Sequence, residues 1–395
     1  MTRRDEVRTD GFTGERTGPD RVLFVVVLML VAIGIVAVFS ASAFRAAEVY
    51  RDAAFFLERH LIRVAFALVG CALAYRSDYR YLTRHSRPLL LLGIALLVAV
   101  LLVGWEDDVR GGRRWIRLGP INLQPSEVAK LLVVVYLADF LSRKQEHLAS
   151  FRRIAVPVVI VLSLVAVLIA LQRNLSGVFH VALLATVLLF LGGAKIRHLF
   201  VLGLLFSVVA GASVARNPYQ RGRIEAFLNG RQDLQVADYQ VDQSLIALGS
   251  GGWTGVGVGQ SKQKFFFLPD SHTDFVLGIV GEELGFVGAG GVMVLFLLFG
   301  WRGARIAVRA PDTAGRLLAA GITLLVFLYA MLNIAVVTGA APTTGVPLPF
   351  VSYGGSSLLV TLVGSGILLN ISRHAYRRSW ATAETAKRRL GNGER

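Results

Sequence analysis

Residues 22–39 read VLFVVVLMLVAIGIVAVF, a run with no charge and no strongly polar side chain. A cleaved signal peptide carries an apolar run of only ~7–15 residues. This longer run therefore reads as an uncleaved first transmembrane helix, although Ala41-Ser42-Ala43 behind it resembles a cleavage site. About 20 apolar residues are needed to cross a bilayer as a helix. Working outward from this first span, candidate spans lie at roughly 22–43, 60–75, 88–104, 124–141, 154–171, 177–192, 198–214, 274–300, 315–338 and 355–372, the second, sixth and seventh being short. The expected fold is an all-α integral membrane protein of about ten transmembrane helices. Composition agrees, with 54% hydrophobic and 17% charged residues and a mean hydropathy of +0.58.

The net charge of +16 invites a nucleic-acid reading. The Lys and Arg residues fall between apolar spans, as flanking anchors do, so no nucleic-acid partner is expected. Short connections carry the basic excess: Arg76, Arg80, Arg84 and Arg87; Arg143, Lys144, Arg152 and Arg153; Arg302, Arg305 and Arg309. By the positive-inside bias these face the cytoplasm, as do both termini. Domain limits follow: a cytoplasmic tail over 1–20, a membrane domain over 21–373, and a basic cytoplasmic tail over 374–395, both tails expected to be disordered. The long connection 215–273, between the seventh and eighth spans, faces outward. The single cysteine, Cys71, permits neither an intramolecular disulfide nor a thiolate metal cluster.

Connections longer than about 12–15 residues are uncommon unless functional or disordered. This one ends in Gly249–Gly285, GSGGWTGVGVGQSKQKFFFLPDSHTDFVLGIVGEELG, a glycine-rich, then basic, then aromatic stretch entering an apolar helix that carries three carboxylates. Gly255, Gly257 and Gly259 do not form a dinucleotide fingerprint, because no strand–helix unit surrounds them. They suit close approach of backbone to a ligand or a membrane surface. Lys262 and Lys264 supply positive charge, and Phe265, Phe266 and Phe267 suit lipid headgroups. A second outer cluster sets Arg113, Arg114 and Arg117 around Trp115. Three arginines outside run against the orientation bias and suggest phosphate binding, although Trp115 alone reads equally as an interfacial anchor. Glu127 and Lys130, three apart, share a helix face and read as a structural ion pair. A charge-free cluster, TTGVPLPFVSYGGSS over 343–357, holds Ser352, Tyr353 and Ser356 in irregular backbone that must be buried or line a cavity.

Together these motifs resemble the SEDS proteins, the FtsW/RodA group of peptidoglycan glycosyltransferases. The resemblance rests on GRRWI and QPSEVAK (112–116, 124–130), YQVDQSLIALGSGG (239–252), KQKFFFLPDSHTDF with GEELGFVG (262–275, 281–288) and PLPFVSYGGSS (347–357). It covers nearly the whole chain, and its GEELG and KQKFFFLP runs lean towards FtsW, the division branch, over a RodA-type elongation polymerase. The resemblance implies a multi-pass protein of the bacterial inner membrane that polymerises lipid II. It further implies a monofunctional penicillin-binding protein as partner, together with other division proteins. The family's catalytic aspartate matches Asp274 and its motif tryptophan Trp115.

The chemistry needs a base for the attacking hydroxyl and cations for the departing diphosphate. Asp274, at a helix mouth among Lys and Arg, suits the base, with Asp270 its rival and helix capping its plain alternative. Arg113, Arg114, Trp115, Arg117, Lys262, Lys264, His272, Ser352, Tyr353 and Ser356 are the substrate-binding candidates, with the two basic loops expected to close over one diphosphate site. Glu282 and Glu283 are expected to be structural, pairing with a base such as Lys130. A divalent cation, Mg²⁺ or Mn²⁺, is a candidate for sharing the neutralising work on Asp274 or Asp270; no organic cofactor is expected. Two departures from the family stand out: Asp270 where relatives have Glu, and Gln172-Arg173-Asn174-Leu175 where they carry Gln-Pro-Asp-Leu. The rival functions are a lipid-linked precursor flippase and a non-catalytic scaffold.

Overall fold

The computed structural model describes residues 18–106, 112–118, 121–147, 151–228, 236–265, 267–269 and 271–374. The bulk of both expected tails, with Phe266 and Asp270, lies outside these residues. A helix covers each of the ten apolar stretches: α1 (Arg21–Tyr50), α2 (Phe55–Arg76), α4 (Ser86–Val103), α5 (Pro125–Arg143), α6 (Phe151–Leu171), α7 (Leu175–Leu191), α8 (Ile196–Arg216), α11 (Val276–Arg309), α12 (Thr313–Val337) and α13 (Gly355–His374). Seven of these are long and apolar enough to cross a membrane, α1, α4, α6, α8, α11, α12 and α13. The apolar α7 is short. Charges set α2 and α5 apart, Glu58, Arg59 and Arg63 in the first and Glu127, Lys130 and Asp139 in the second.

Three shorter α-helices, α3 (Tyr79–Arg84), α9 (Pro218–Leu228) and α10 (Val236–Gly251), and one 3-10 turn, Gln145–His147, complete the helices among the described residues. Of these, α9 and α10 lie in the long connection, which therefore carries two helices among its described residues. The all-α plan has one small exception, an antiparallel sheet of β1 (Trp105–Glu106), β2 (Arg113–Leu118) and β3 (Ile121–Leu123) in the order β1-β2-β3.

The bundle is layered inside-out relative to a soluble protein. The most apolar stretch of α13 is 83% buried within the protein, against 17% for α8. Outward faces carry large apolar side chains instead, such as Phe200, Leu204 and Val208 on α8 and Val294, Leu297 and Trp301 on α11. Lipid is the solvent for those faces. At the centre, α13 packs along α2 so closely that a Cβ at Gly366 would lie 2.3 Å from the Cys71 carbonyl oxygen. Small residues at such crossings let backbones approach where no hydrophobic drive exists between helices.

Polar ties lock the end of the bundle where α1 begins and α13 finishes. Asp20 caps α1 by accepting from Leu23 N (2.9 Å) and pairs with Arg302 of α11 at 2.5 Å. Nearby, the Tyr79 hydroxyl donates to Asp312, the cap of α12, at 2.5 Å. The other end of the helices is irregular, and the candidate site lies there.

Candidate active site

A broken helix organises this end. Within α11, Gly285 adopts φ 66° and ψ −166°, a conformation suited to glycine. A break at membrane depth frees backbone groups that lipid cannot satisfy. Here the chain following α10 satisfies them. Val256 N donates to Glu282 O and Gly257 N to Glu283 O (both 3.0 Å), while Phe286 N and Val287 N donate to Gly252 O (2.8 Å) and Trp253 O (3.1 Å). The two segments touch backbone to backbone, since a Cβ at Gly255 would meet Glu283 O at 2.1 Å.

The carboxylates beside the break hold the same loop. Glu282 accepts from Lys262 N (3.0 Å), Gln263 N (3.4 Å) and the Ser261 hydroxyl. Glu283 accepts from the Ser40 hydroxyl of α1 (2.5 Å) and from Ser261 N (3.4 Å), with Lys264 Nζ at 3.7 Å. Lys264 also donates to Gly259 O. Glu283 thus takes Lys264 as its ion partner, not Lys130. The Lys130 ammonium lies elsewhere, buried 2.8 Å from Glu127 and bonded to Tyr329, whose hydroxyl donates to Glu127 at 2.5 Å. His180 of α7 stacks on Tyr329 at 4.3 Å.

From this latch the chain runs to His272 and Asp274. The cap position of α11 is Phe275, so Asp274 stands one place outside it. Its carbonyl accepts from Asn333 Nδ2 of α12 (2.7 Å), and the same amide donates to Val346 O (2.8 Å). One buried side chain therefore joins the Asp274 segment to the 338–354 loop. Tyr353 N donates to His272 O (3.0 Å), and the His272 ring lies 5.6 Å from Tyr353 and 4.9 Å from Phe56 of α2. Burial pushes the Tyr353 phenol up, against the opposing charges of Arg63 and Arg59, so it is protonated at neutral pH.

Ser352 and Ser356 serve the backbone rather than a cavity. Ser352 Oγ accepts from Leu348 N (2.8 Å), and Ser356 Oγ accepts from Gln124 N (2.7 Å) and donates to Asn122 O (3.0 Å). The arginine cluster is the small sheet itself. Trp115 pairs with Trp105 across it, and Arg117 lies over the Trp105 ring at 3.9 Å. Arg113 is exposed and donates to Leu101 O at 3.3 Å. The fork of Arg114 grips the 172–175 turn, donating to Gln172 O (3.0 Å) and Arg173 O (2.6 Å).

That turn is the one expected to depart from the family pattern. Arg173 takes a left-handed φ of 57°. Asn174 caps α7 by accepting from Gly177 N at 2.9 Å, a task Asn performs as well as Asp. A cavity of about 680 Å³ opens beside it, walled by apolar residues of α7 and α8 such as Phe179 and Phe206, with Arg114, Arg173, Arg223, Thr343 and Thr344 among its lining. Leu332, next to Asn333, lines it too. Asp274, Lys262 and Lys264 do not.

Most of the predicted residues form three groups, with Ser352, Ser356 and the Glu127–Lys130 pair outside them. Asp274, His272 and Tyr353 meet at the mouth of α11; Lys262, Lys264, Glu282 and Glu283 meet at its break; Arg113, Arg114, Trp115 and Arg117 sit on the sheet near the cavity. The expectation that both basic loops close over one diphosphate is corrected: Lys264 is bound to Glu283, and Lys262 is exposed on a loop held by Glu282. Sequence reading missed Asn333, Tyr329, His180, Arg63 and His60. A lone polar residue within an apolar span was the available signal.

The profile of the FtsW/RodA/SpoVE cell cycle proteins matches residues 20–377. The chain belongs to this family. Among the FtsW/RodA/SpoVE proteins it is 42% identical to the probable peptidoglycan glycosyltransferase FtsW of Trichlorobacter lovleyi, over 89% of this chain and 93% of that one. It is 40% identical to stage V sporulation protein E of Bacillus subtilis, over 92% and 99%. Two solved structures share the fold at 29% identity. One, described as coordinating polymerization and crosslinking in a peptidoglycan synthase complex, superposes with a TM-score of 0.72 over 90% of this chain and 98% of that one. The other, RodA of Thermus thermophilus, gives 0.66 over 91% and 98%. As an FtsW/RodA/SpoVE protein, the chain is a multi-pass membrane protein.

Proposed function

We propose that the chain is a peptidoglycan glycosyltransferase that polymerises lipid II into glycan strands at the division septum, with Asp274 as general base. The FtsW relative supports the activity and the branch, and the peptidoglycan synthase complex supports a transpeptidase partner. The observation that carries the mechanism is the placing of Asp274. Its segment is held at the mouth of a broken helix by Asn333, whose neighbour Leu332 lines an apolar cavity with Arg114, Arg173 and Arg223 in its wall.

In this reading the acceptor sugar hydroxyl attacks the donor's anomeric carbon. Asp274 takes the hydroxyl proton as the glycosidic bond forms, and the bond to the lipid diphosphate breaks with inversion. The diphosphate leaves with the bonding electron pair, and Arg173 and Arg223 supply the positive charge it needs. The walls of α7 and α8 accept its isoprenoid. Both termini lie in the cytoplasm and the site opens outward, where strands are built. Among the described residues no three His, Cys, Asp or Glu gather as a metal set, and Asp270 lies outside them. Purified protein with labelled lipid II, with and without its transpeptidase, tests the proposal. Glycan strands support it; lipid II movement across a bilayer without polymer would favour a flippase.

A further inference from the structure

Arg63 sits two turns inside α2, yet it forms no ion pair among the described residues. Its guanidinium lies over the face of Tyr353, 4.4 Å from the ring centre, and its buried Nε has no hydrogen-bond partner. The aliphatic part fills the space at the start of α13, where a Cβ at Gly355 would be 3.3 Å from Arg63 Cδ. His60, one turn earlier and wholly buried, lies 5.8 Å from the same ring, and neither of its ring nitrogens has a hydrogen-bond partner. An unpaired cation and an unsatisfied imidazole inside a membrane protein are both costly. Apolar side chains would pack this crossing at lower cost, so stability alone does not account for the pair.

Tyr353 is also the residue that fixes His272. Its amide donates to the His272 carbonyl, and its ring forms one wall of the His272 site with Phe56 as the other. His272 precedes Asp274 by two residues, and Asn333 holds that segment through the Asp274 carbonyl. We infer that Arg63 is a positioning residue for Asp274, acting through Tyr353: the cation on the ring face sets the ring, the ring sets His272, and His272 sets the carboxylate. A cation within about 6 Å of an aromatic centre is attracted to it, more strongly where water is excluded. The inference rests on Asp274 as the base.

The test is a kinetic double-mutant cycle in full-length protein with labelled lipid II, using Arg63→Gln, Tyr353→Leu and their combination, beside Asp274→Asn. A misplacement of about 1 Å can cost on the order of 100-fold in rate. Arg63→Gln is expected to lower kcat by roughly 10- to 100-fold with KM unchanged, and Arg63→Lys, which keeps a cation for the ring, to recover most of it. On the Tyr353→Leu background Arg63→Gln should add no further loss, because its route is gone. Should Arg63→Gln fail to accumulate, Arg63→Met, which keeps the aliphatic stem and removes the cation, takes its place in the cycle. Losses that multiply, a raised KM at wild-type kcat, or wild-type kcat per folded molecule would each overturn the inference. Wild-type kcat in Arg63→Gln with an inactive Asp274→Asn removes only the positioning role. An active Asp274→Asn removes the catalytic reading and this inference together.

Discussion

Glu282→Gln tests how the loop before Asp274 is held. The Glu282 carboxylate accepts from two backbone amides, Lys262 N and Gln263 N, and from the Ser261 hydroxyl, and it is 2% exposed. Gln keeps the shape but removes the charge and turns one acceptor into an NH2 donor facing groups that also donate. Hydrogen bonds to charged groups contribute about 1.5–3 kcal/mol each. Breaking at least one of the three and weakening the others gives an expected loss of about 3 kcal/mol from the latch, roughly a 100-fold rise in the open loop. Backbone bonds from Val256 and Gly257 to α11 remain, so the bundle should still form. Limited trypsin cleavage after Lys262 and Lys264 and exchange of the 261–263 amides are the assays. Both should accelerate in Glu282→Gln, with a smaller fall in turnover per intact molecule. Unchanged protection at 261–263 would refute the latch, and full protection with no turnover would move Glu282 into the chemistry.

Two further outcomes follow from other contacts. Arg114→Lys cannot hold Gln172 O and Arg173 O together, because one ammonium lacks the guanidinium fork; it should cost about 1 kcal/mol, read as a lower Tm in detergent with lipid II affinity kept. Weaker lipid II binding at unchanged Tm would return Arg114 to the substrate. Lys130→Ala leaves Glu127 charged and buried against Tyr329, which costs about 3–5 kcal/mol; folded yield and Tm should collapse, and a stable protein would contradict the pairing.

Much of the fold was legible because bilayer thickness imposes one rule on every span. The long connection was harder. Val241, Leu245 and Leu248 recur at helical spacing in α10, but the surrounding polar residues masked them as loop. The break at Gly285 was not legible, since GEELGFVG reads as uninterrupted helix and its missing hydrogen bonds come from residues about thirty positions earlier. That break also explains the misplaced lysines. Lys264 looked like a free cation because Glu283, its neutraliser, meets it only when the loop folds onto α11. His272 and Tyr353 did converge beside Asp274, yet Arg63, which faces them from α2, passed as one more basic residue near a membrane boundary.

The central claim is that Asp274 takes the acceptor's proton. Lipid II polymerisation by purified Asp274→Asn, with its transpeptidase partner present and its Tm matched to wild type, tests this most directly. Loss of a positioned base costs typically about 100- to 10,000-fold, so the variant should make no detectable glycan while remaining folded in the membrane. Strands formed at near wild-type rate by Asp274→Asn would contradict the account.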